Sequence, residues 1–223
     1  MDNYIMQIIS LDINDPDRFE AAVLVAVDFL RAGKTIVYPT DTVYGIGCDA
    51  LNEKAVLKVA RIKKIKDSKP VSVLVRDLEE IKKYSFLGST NKRILEKLLP
   101  GKFTFILPGA KNIPSSVTGG GNNLGVRIPE HPVTQKLADG FENPIVTTSA
   151  NVTGEEPLAD AFKIVDRFRD EKYQPDLILD FGRLESTHPS VVVDISTSKP
   201  RILRSGMMNV QETLELLTKL SSI

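Results

Sequence analysis

The sequence predicts an α/β fold: a twisted sheet of mixed parallel and antiparallel strands, flanked by helices. Three observations carry that expectation. Short apolar runs rich in β-branched residues alternate with stretches whose apolar residues recur at helical spacing. Near the C-terminus, three strand-like runs lie close together, which favours a mixed sheet over pure βα alternation. The chain has 223 residues, 42% of them apolar and 26% charged, an ordinary globular composition that can bury a substantial core as one domain or two small ones.

Taken in order, Met6–Leu11 reads as a first strand. Asp15 caps a helix with Pro16 in its first turn, and Phe19, Val23, Val27 and Leu30 repeat at helical spacing until Gly33 stops it. Thr35–Tyr38 is a buried strand that Pro39 ends by removing a donor. A helix from Glu53 to Lys64 carries Val56, Leu57, Val59 and Ala60 on its apolar face, and Val71–Val75 is a strand. Short helices follow from Leu78 and Thr90, capped by Asp77 and Ser89. Phe103–Leu107, Gly125–Ile128 and Pro144–Thr148 are strands, and Asp160 caps a helix through Phe168. Leu177–Leu179, Ser190–Asp194 and Arg201–Leu203 are the late strands. Asn209 and Glu212 make a capping box for a last helix ending near Leu220.

Composition narrows the function. Formal net charge is zero, so any basic site is local. No apolar run approaches the ~20 residues of a membrane span, and Met1–Tyr4 is no signal peptide, so a cytoplasmic protein without a membrane partner is expected. Cys48 is the single cysteine and reads as a small buried residue; His131 and His188 stand far apart, so neither a zinc site nor a Cys–His nucleophile is expected. There is no phosphate loop of the G-x-x-x-x-G-K-[ST] kind, and Gly119–Gly121 lacks the context of a dinucleotide fingerprint.

Several constellations do carry chemistry. After the strand 35–38, hydroxyls crowd together in Thr40, Thr42 and Tyr44 with Asp41 among them. Ile145–Asn151 repeats that grammar, and Ser149 and Asn151 offer neutral donors suited to phosphate or ribose oxygens. Lys58, Arg61, Lys63, Lys64, Lys66 and Lys69 crowd a helix end and the loop after it. Such a run is most often a solvated helix end, but Pro70 and the next strand pin this one, so its ammonium groups can converge on phosphates. Arg127 lies within an apolar strand and needs a carboxylate, internal or bound. Ser190 opens one late strand, and Arg204 closes another.

Pro39–Gly47, the Lys64–Ile65–Lys66 and Lys69–Pro70 segment, Leu99–Thr104, Gly125–Pro129, Ser149–Asn151 and Ile202–Gly206 together resemble the YrdC-like family, in that family's order and across nearly the whole chain. The resemblance implies a single YrdC-like domain over 1–223, the short form without an extra C-terminal domain, with a large open cavity on one sheet face. It implies a threonylcarbamoyl-AMP synthase: a nucleotidyltransferase that joins L-threonine, bicarbonate or carbon dioxide and ATP, with magnesium on the phosphates, and releases pyrophosphate. The product would feed tRNA modification by a downstream threonylcarbamoyl transferase complex, with at most weak contact to RNA.

By position, the resemblance assigns Lys64 and Lys66 to the triphosphate, Ser149 and Asn151 to the nucleotide, and Arg204 to the neighbourhood of its phosphates. Thr40, Arg127 and Ser190 would hold threonine, with Arg127 on the carboxylate and Tyr44 lining that end. Where the family commonly has Lys-x-Arg, this chain has Lys64–Ile65–Lys66, which keeps charge and loses the planar fork. No general base or metal ligand is assigned. Two other readings stand beside this one: a carbamoyl-AMP-forming relative, and an RNA-binding module without catalysis, whose footprint would be Lys58–Lys69.

Overall fold

A computed structural model describes residues 6–65 and 69–221. The stretch Met1–Tyr4, read above as no signal peptide, lies outside them. The elements run β1 (Gln7–Ser10), α1 (Pro16–Arg31), β2 (Ile36–Tyr38), β3 (Gly45–Gly47), α2 (Glu53–Ile62), β4 (Ser72–Leu74), α3 (Leu78–Tyr84), α4 (Ser89–Leu98) and β5 (Phe103–Pro108). They continue with α5 (Ser115–Thr118), β6 (Asn123–Arg127), α6 (Pro132–Gly140), β7 (Ile145–Ser149), α7 (Ala161–Phe168), β8 (Leu177–Asp180), β9 (Val191–Asp194), β10 (Arg201–Arg204) and α8 (Val210–Ser221).

The strands form one sheet in the order β1-β8-β2-β3-β7-β4-β6-β5-β9-β10. Pairs β1/β8, β2/β8, β4/β6 and β5/β9 are parallel, and the other five are antiparallel. The expected mixed sheet is therefore present. β3, α5 and α6 are additions to the sequence reading.

Capping explains most helix starts. Asp15, Asp77 and Asp160 each accept a backbone N–H from the first turn of α1, α3 and α7. Ser89 does not cap α4: it is already helical, and Gly88 precedes it without a side-chain bond. Asn209 accepts from Gln211 and Glu212, which is half of the expected capping box. α6 starts on His131, whose Nδ1 accepts the Val133 N–H at 3.2 Å, with Pro132 in its first turn.

Alternation along the strands builds two cores on opposite faces. Ile36, Tyr38, Leu177, Leu179 and Ile145 point to one face, under α1 and α6. Val37, Ile178, Val146, Val73, Val126, Phe105 and Val193 point to the other, under α2, α4 and α7. Cys48 is fully buried in this larger core, and burial pushes its thiol pKa up. Among the described residues, no helix is long and apolar enough to cross a membrane.

Candidate active site

The same alternation leaves a polar face. On β4, β6, β5 and β9, residues Val73, Val126, Phe105 and Val193 enter the larger core, so Ser72, Gly125, Arg127, Thr104 and Val192 project to the opposite side. α1 and α6 cover the other half of that face, around β1, β8 and β2. The uncovered half holds a cleft of about 200 Å³ lined by Thr40, Tyr44, Arg127, Thr147, Ser149, Ser190 and Arg204, among others. A second cleft of about 400 Å³ shares Pro70, Val71, Ser72 and Val192 with it and runs on to Asn123 and Asp194. A single large cavity is not seen among the described residues.

The loop between β2 and β3 forms one wall. Thr40 Oγ1 donates to the Val43 carbonyl at 2.7 Å and accepts the Thr42 N–H at 3.1 Å. Its single proton is thereby used, so in the 2.9 Å contact between the two hydroxyls Thr42 is the donor. The hydroxyl of Thr40 is saturated inside its own loop. Tyr44 likewise turns its phenol away, donating to Gly182 O at 2.8 Å and accepting from Phe181 N at 2.9 Å. Gly47 lets β3 approach β7: a Cβ there would stand 2.0 Å from the Val146 carbonyl oxygen.

Arg127 ends β6 with its guanidinium buried at the cleft. Nη2 donates to Asp41 Oδ1 at 2.6 Å, and Asp41 Oδ2 accepts Glu130 N–H at 3.1 Å. The internal carboxylate that a buried arginine requires is therefore Asp41. Its compensation is incomplete, since Arg127 Nε is buried without a hydrogen-bond partner. Burial lowers the Arg127 pKa, and Asp41 partly offsets that.

Ser190 and Arg204 close the other side. Arg204 donates from Nε to Ser190 O at 2.9 Å and from Nη2 to Ser190 Oγ at 3.0 Å. Thr104 Oγ1 lies 2.8 Å from Ser190 Oγ. Gly206, at φ +58, permits this packing, because a Cβ would stand 2.7 Å from Pro189 O. The Arg204 pKa is lowered by burial and then by the neighbouring charge of Arg127. Two guanidinium groups facing one cleft favour an anion between them.

The basic run is arranged differently from the sequence expectation. α2 ends at Ile62, two residues early, because Lys64 takes a left-handed φ of +52. Lys64 is half-exposed, and its ammonium pairs with Glu171 at 2.9 Å, outside the cleft lining. Lys66 lies outside the described residues. Lys63 is the buried member: its ammonium donates to the carbonyl oxygens of Ser149 and Asn151 and, at 3.3 Å, to Asn151 Oδ1. Burial without a carboxylate drops its pKa to about 8. Helical phase was the available signal, since Val56, Val59 and Lys63 share the face that α2 buries. Ser149 lines the cleft, whereas Asn151 stands behind it and donates to Val152 O and Glu155 O. Lys58, for its part, holds Asp176 at 2.6 Å. Thr104, Thr147, Asp41 and Lys63 are among the residues of this site that the sequence reading did not assign.

Fold and cleft together define a class: a mixed-sheet α/β protein with a cleft on the half of one sheet face that α1 and α6 leave uncovered, lined by two arginines and several hydroxyls. The family model described as "Telomere recombination", for Sua5, YciO and YrdC, matches residues 28–206, and the chain belongs to that family. It is 35% identical over 202 residues to a putative threonylcarbamoyl-AMP synthase of Methanocaldococcus jannaschii, covering 90% of this chain and 93% of the relative. The crystal structure of Escherichia coli YciO superposes with a TM-score of 0.82 at 30% identity, covering 93% of this chain and 98% of that one. Sua5 of Pyrococcus abyssi, solved with L-threonine, gives a TM-score of 0.84 at 27% identity; the match covers 95% of this chain and 60% of that chain.

Proposed function

We propose that this chain is a threonylcarbamoyl-AMP synthase, condensing L-threonine, bicarbonate or carbon dioxide and ATP to threonylcarbamoyl-AMP and pyrophosphate. The observation that carries the reading is the cleft lined by both Arg127 and Arg204, with the hydroxyls of Thr104 and Ser190 lying between them along the row of paired strands β6-β5-β9-β10. The likeness to a putative synthase and to a threonine-bound Sua5 supports it.

In this reading Arg127 takes the threonine carboxylate, with Asp41 behind it. The threonine nitrogen attacks carbon dioxide and gives a carbamate, losing a proton. A carbamate oxygen then attacks the α-phosphorus of ATP and pyrophosphate leaves. Such transfer asks the protein for positioning and charge neutralisation rather than covalent help. Arg204 and Ser149 meet that demand, with Lys63 supporting the Ser149–Asn151 backbone from below. The cleft running on to Asn123 is where the nucleoside would extend. Magnesium would arrive on the ATP phosphates; among the described residues no group of three or more acidic, His or Cys side chains could hold it. The product would pass to a tRNA threonylcarbamoyl transferase complex. The basic run gives little support to an RNA footprint, since Lys58, Lys63 and Lys64 are engaged within the protein.

The test is pyrophosphate release from ATP and bicarbonate, with and without L-threonine. Release that depends on threonine supports the reading; release indifferent to it, or absent, contradicts it.

A further inference from the structure

Thr104 on β5 and Ser190 ahead of β9 are both buried in the cleft wall, and their hydroxyl oxygens are 2.8 Å apart. Arg204 Nη2 donates to Ser190 Oγ at 3.0 Å, and a guanidinium has no acceptor, so Ser190 accepts there. The two hydroxyls own two protons, and their mutual bond uses one. Among the described residues neither hydroxyl donates to anything else. If Thr104 donates to Ser190, the remaining proton is on Ser190; if Ser190 donates to Thr104, it is on Thr104. Either way one O–H in the cleft lining is left without an acceptor, beside Arg204 on one side and, by the β5/β6 register, beside Arg127 on the other.

We propose that Thr104 and Ser190 form one hydrogen-bond donor unit that takes a carboxylate oxygen of the substrate, which makes Thr104 a substrate-binding residue. This rests on the threonine reading above. The complement of that wall is an acceptor. An ammonium group would find donors already crowded there, whereas a carboxylate oxygen completes the hydroxyl pair and shares the charge of the guanidinium groups.

The unit has an unusual consequence. Either hydroxyl can supply the free proton, so removing one leaves a donor and removing both leaves none. Calorimetric titration of L-threonine into Thr104→Val, Ser190→Ala and the double variant reads this directly. Each single variant should bind within about threefold of the unaltered chain, while the double variant should lose on the order of 10–100-fold, the scale of one hydrogen bond to a charged group. Thr104→Ser should bind as the unaltered chain does. L-Threoninol, which lacks the carboxylate, should bind weakly and be indifferent to the double change. Should the double variant not fold, Thr104→Cys with Ser190→Ala keeps a weak thiol donor and should show a loss between those of the single and double variants. Losses that simply multiply, or a double variant no weaker than the singles, overturn the shared-donor assignment alone. An unaltered chain that binds no threonine overturns the functional reading and this inference with it.

Discussion

Arg127 Nη2 lies 2.6 Å from Asp41 Oδ1, joining the end of β6 to the loop after β2. Both side chains are nearly inaccessible, at 9% and 4% exposure, so the pair is maintained in a medium where losing one partner is costly. Arg127→Ala should weaken threonine binding by ~2–5 kcal/mol, the range for truncating one member of a buried charged contact. ATP affinity should change much less. Calorimetry with each ligand decides it, and equal losses for both would make the arginine structural.

Lys63 and Lys64 are adjacent in sequence and opposite in placement. Lys64 with Glu171 is a surface pair, a class that contributes ~0–1 kcal/mol. Lys63 is the donor for two carbonyl groups in the strand-to-loop turn that bears Ser149. Lys63→Met should raise the ATP concentration needed for half-maximal turnover at least tenfold, and Lys64→Ala should leave it nearly unchanged. Steady-state pyrophosphate release across ATP concentrations checks this. Equal small effects would detach the basic run from the site.

Thr40 should be read as a loop fastener by its stability effect. Thr40→Val removes a hydroxyl that serves Val43 O, Thr42 N and Thr42 Oγ1 in a buried loop. Leaving such groups unsatisfied costs ~1–3 kcal/mol. A urea midpoint lowered accordingly, with an unchanged slope, is the expected result; no shift would mean the loop replaces the bonds with water.

His131 supplies a pH dependence. Its pKa is lowered to about 4, chiefly by burial and in spite of Asp41, from an ordinary 6.5. Between those values the unfolded chain binds more protons than the folded one, so stability falls as pH drops from 6.5 toward 4. His131→Asn keeps a side-chain acceptor for the start of α6 and removes the titration. Its stability relative to the native chain should rise through that window. Parallel stability–pH curves would contradict the assignment.

Much of the fold was legible because local rules decided it. Asp15–Pro16 and Asp160 mark helix starts without tertiary help. β3 was not legible, because Gly45–Gly47 offers a single side chain, Ile46, between two glycines and is a strand only through its neighbours β2 and β7. α6 was passed over although His131, Pro132, Val133 and Leu137 carried its signal. In the site, Arg127, Ser190, Arg204 and Ser149 were picked out and do share one cleft. Lys64 was not brought there, because the left-handed turn after α2 could not be seen and the phase of α2 favoured Lys63. Thr104 closes one of the motifs that carry the resemblance but has no role there, because alternation places it on the polar face only once Phe103 and Phe105 are known to enter the core.

The most direct measurement follows the carbon of bicarbonate. The protein is incubated with ATP, L-threonine and ¹³C-bicarbonate, and the quenched mixture is analysed by mass spectrometry. The expected product is a threonine-carbamoyl adenylate whose carbamoyl carbon carries the label, formed together with pyrophosphate. Pyrophosphate without a labelled adduct, or an adduct that forms without threonine, would contradict it.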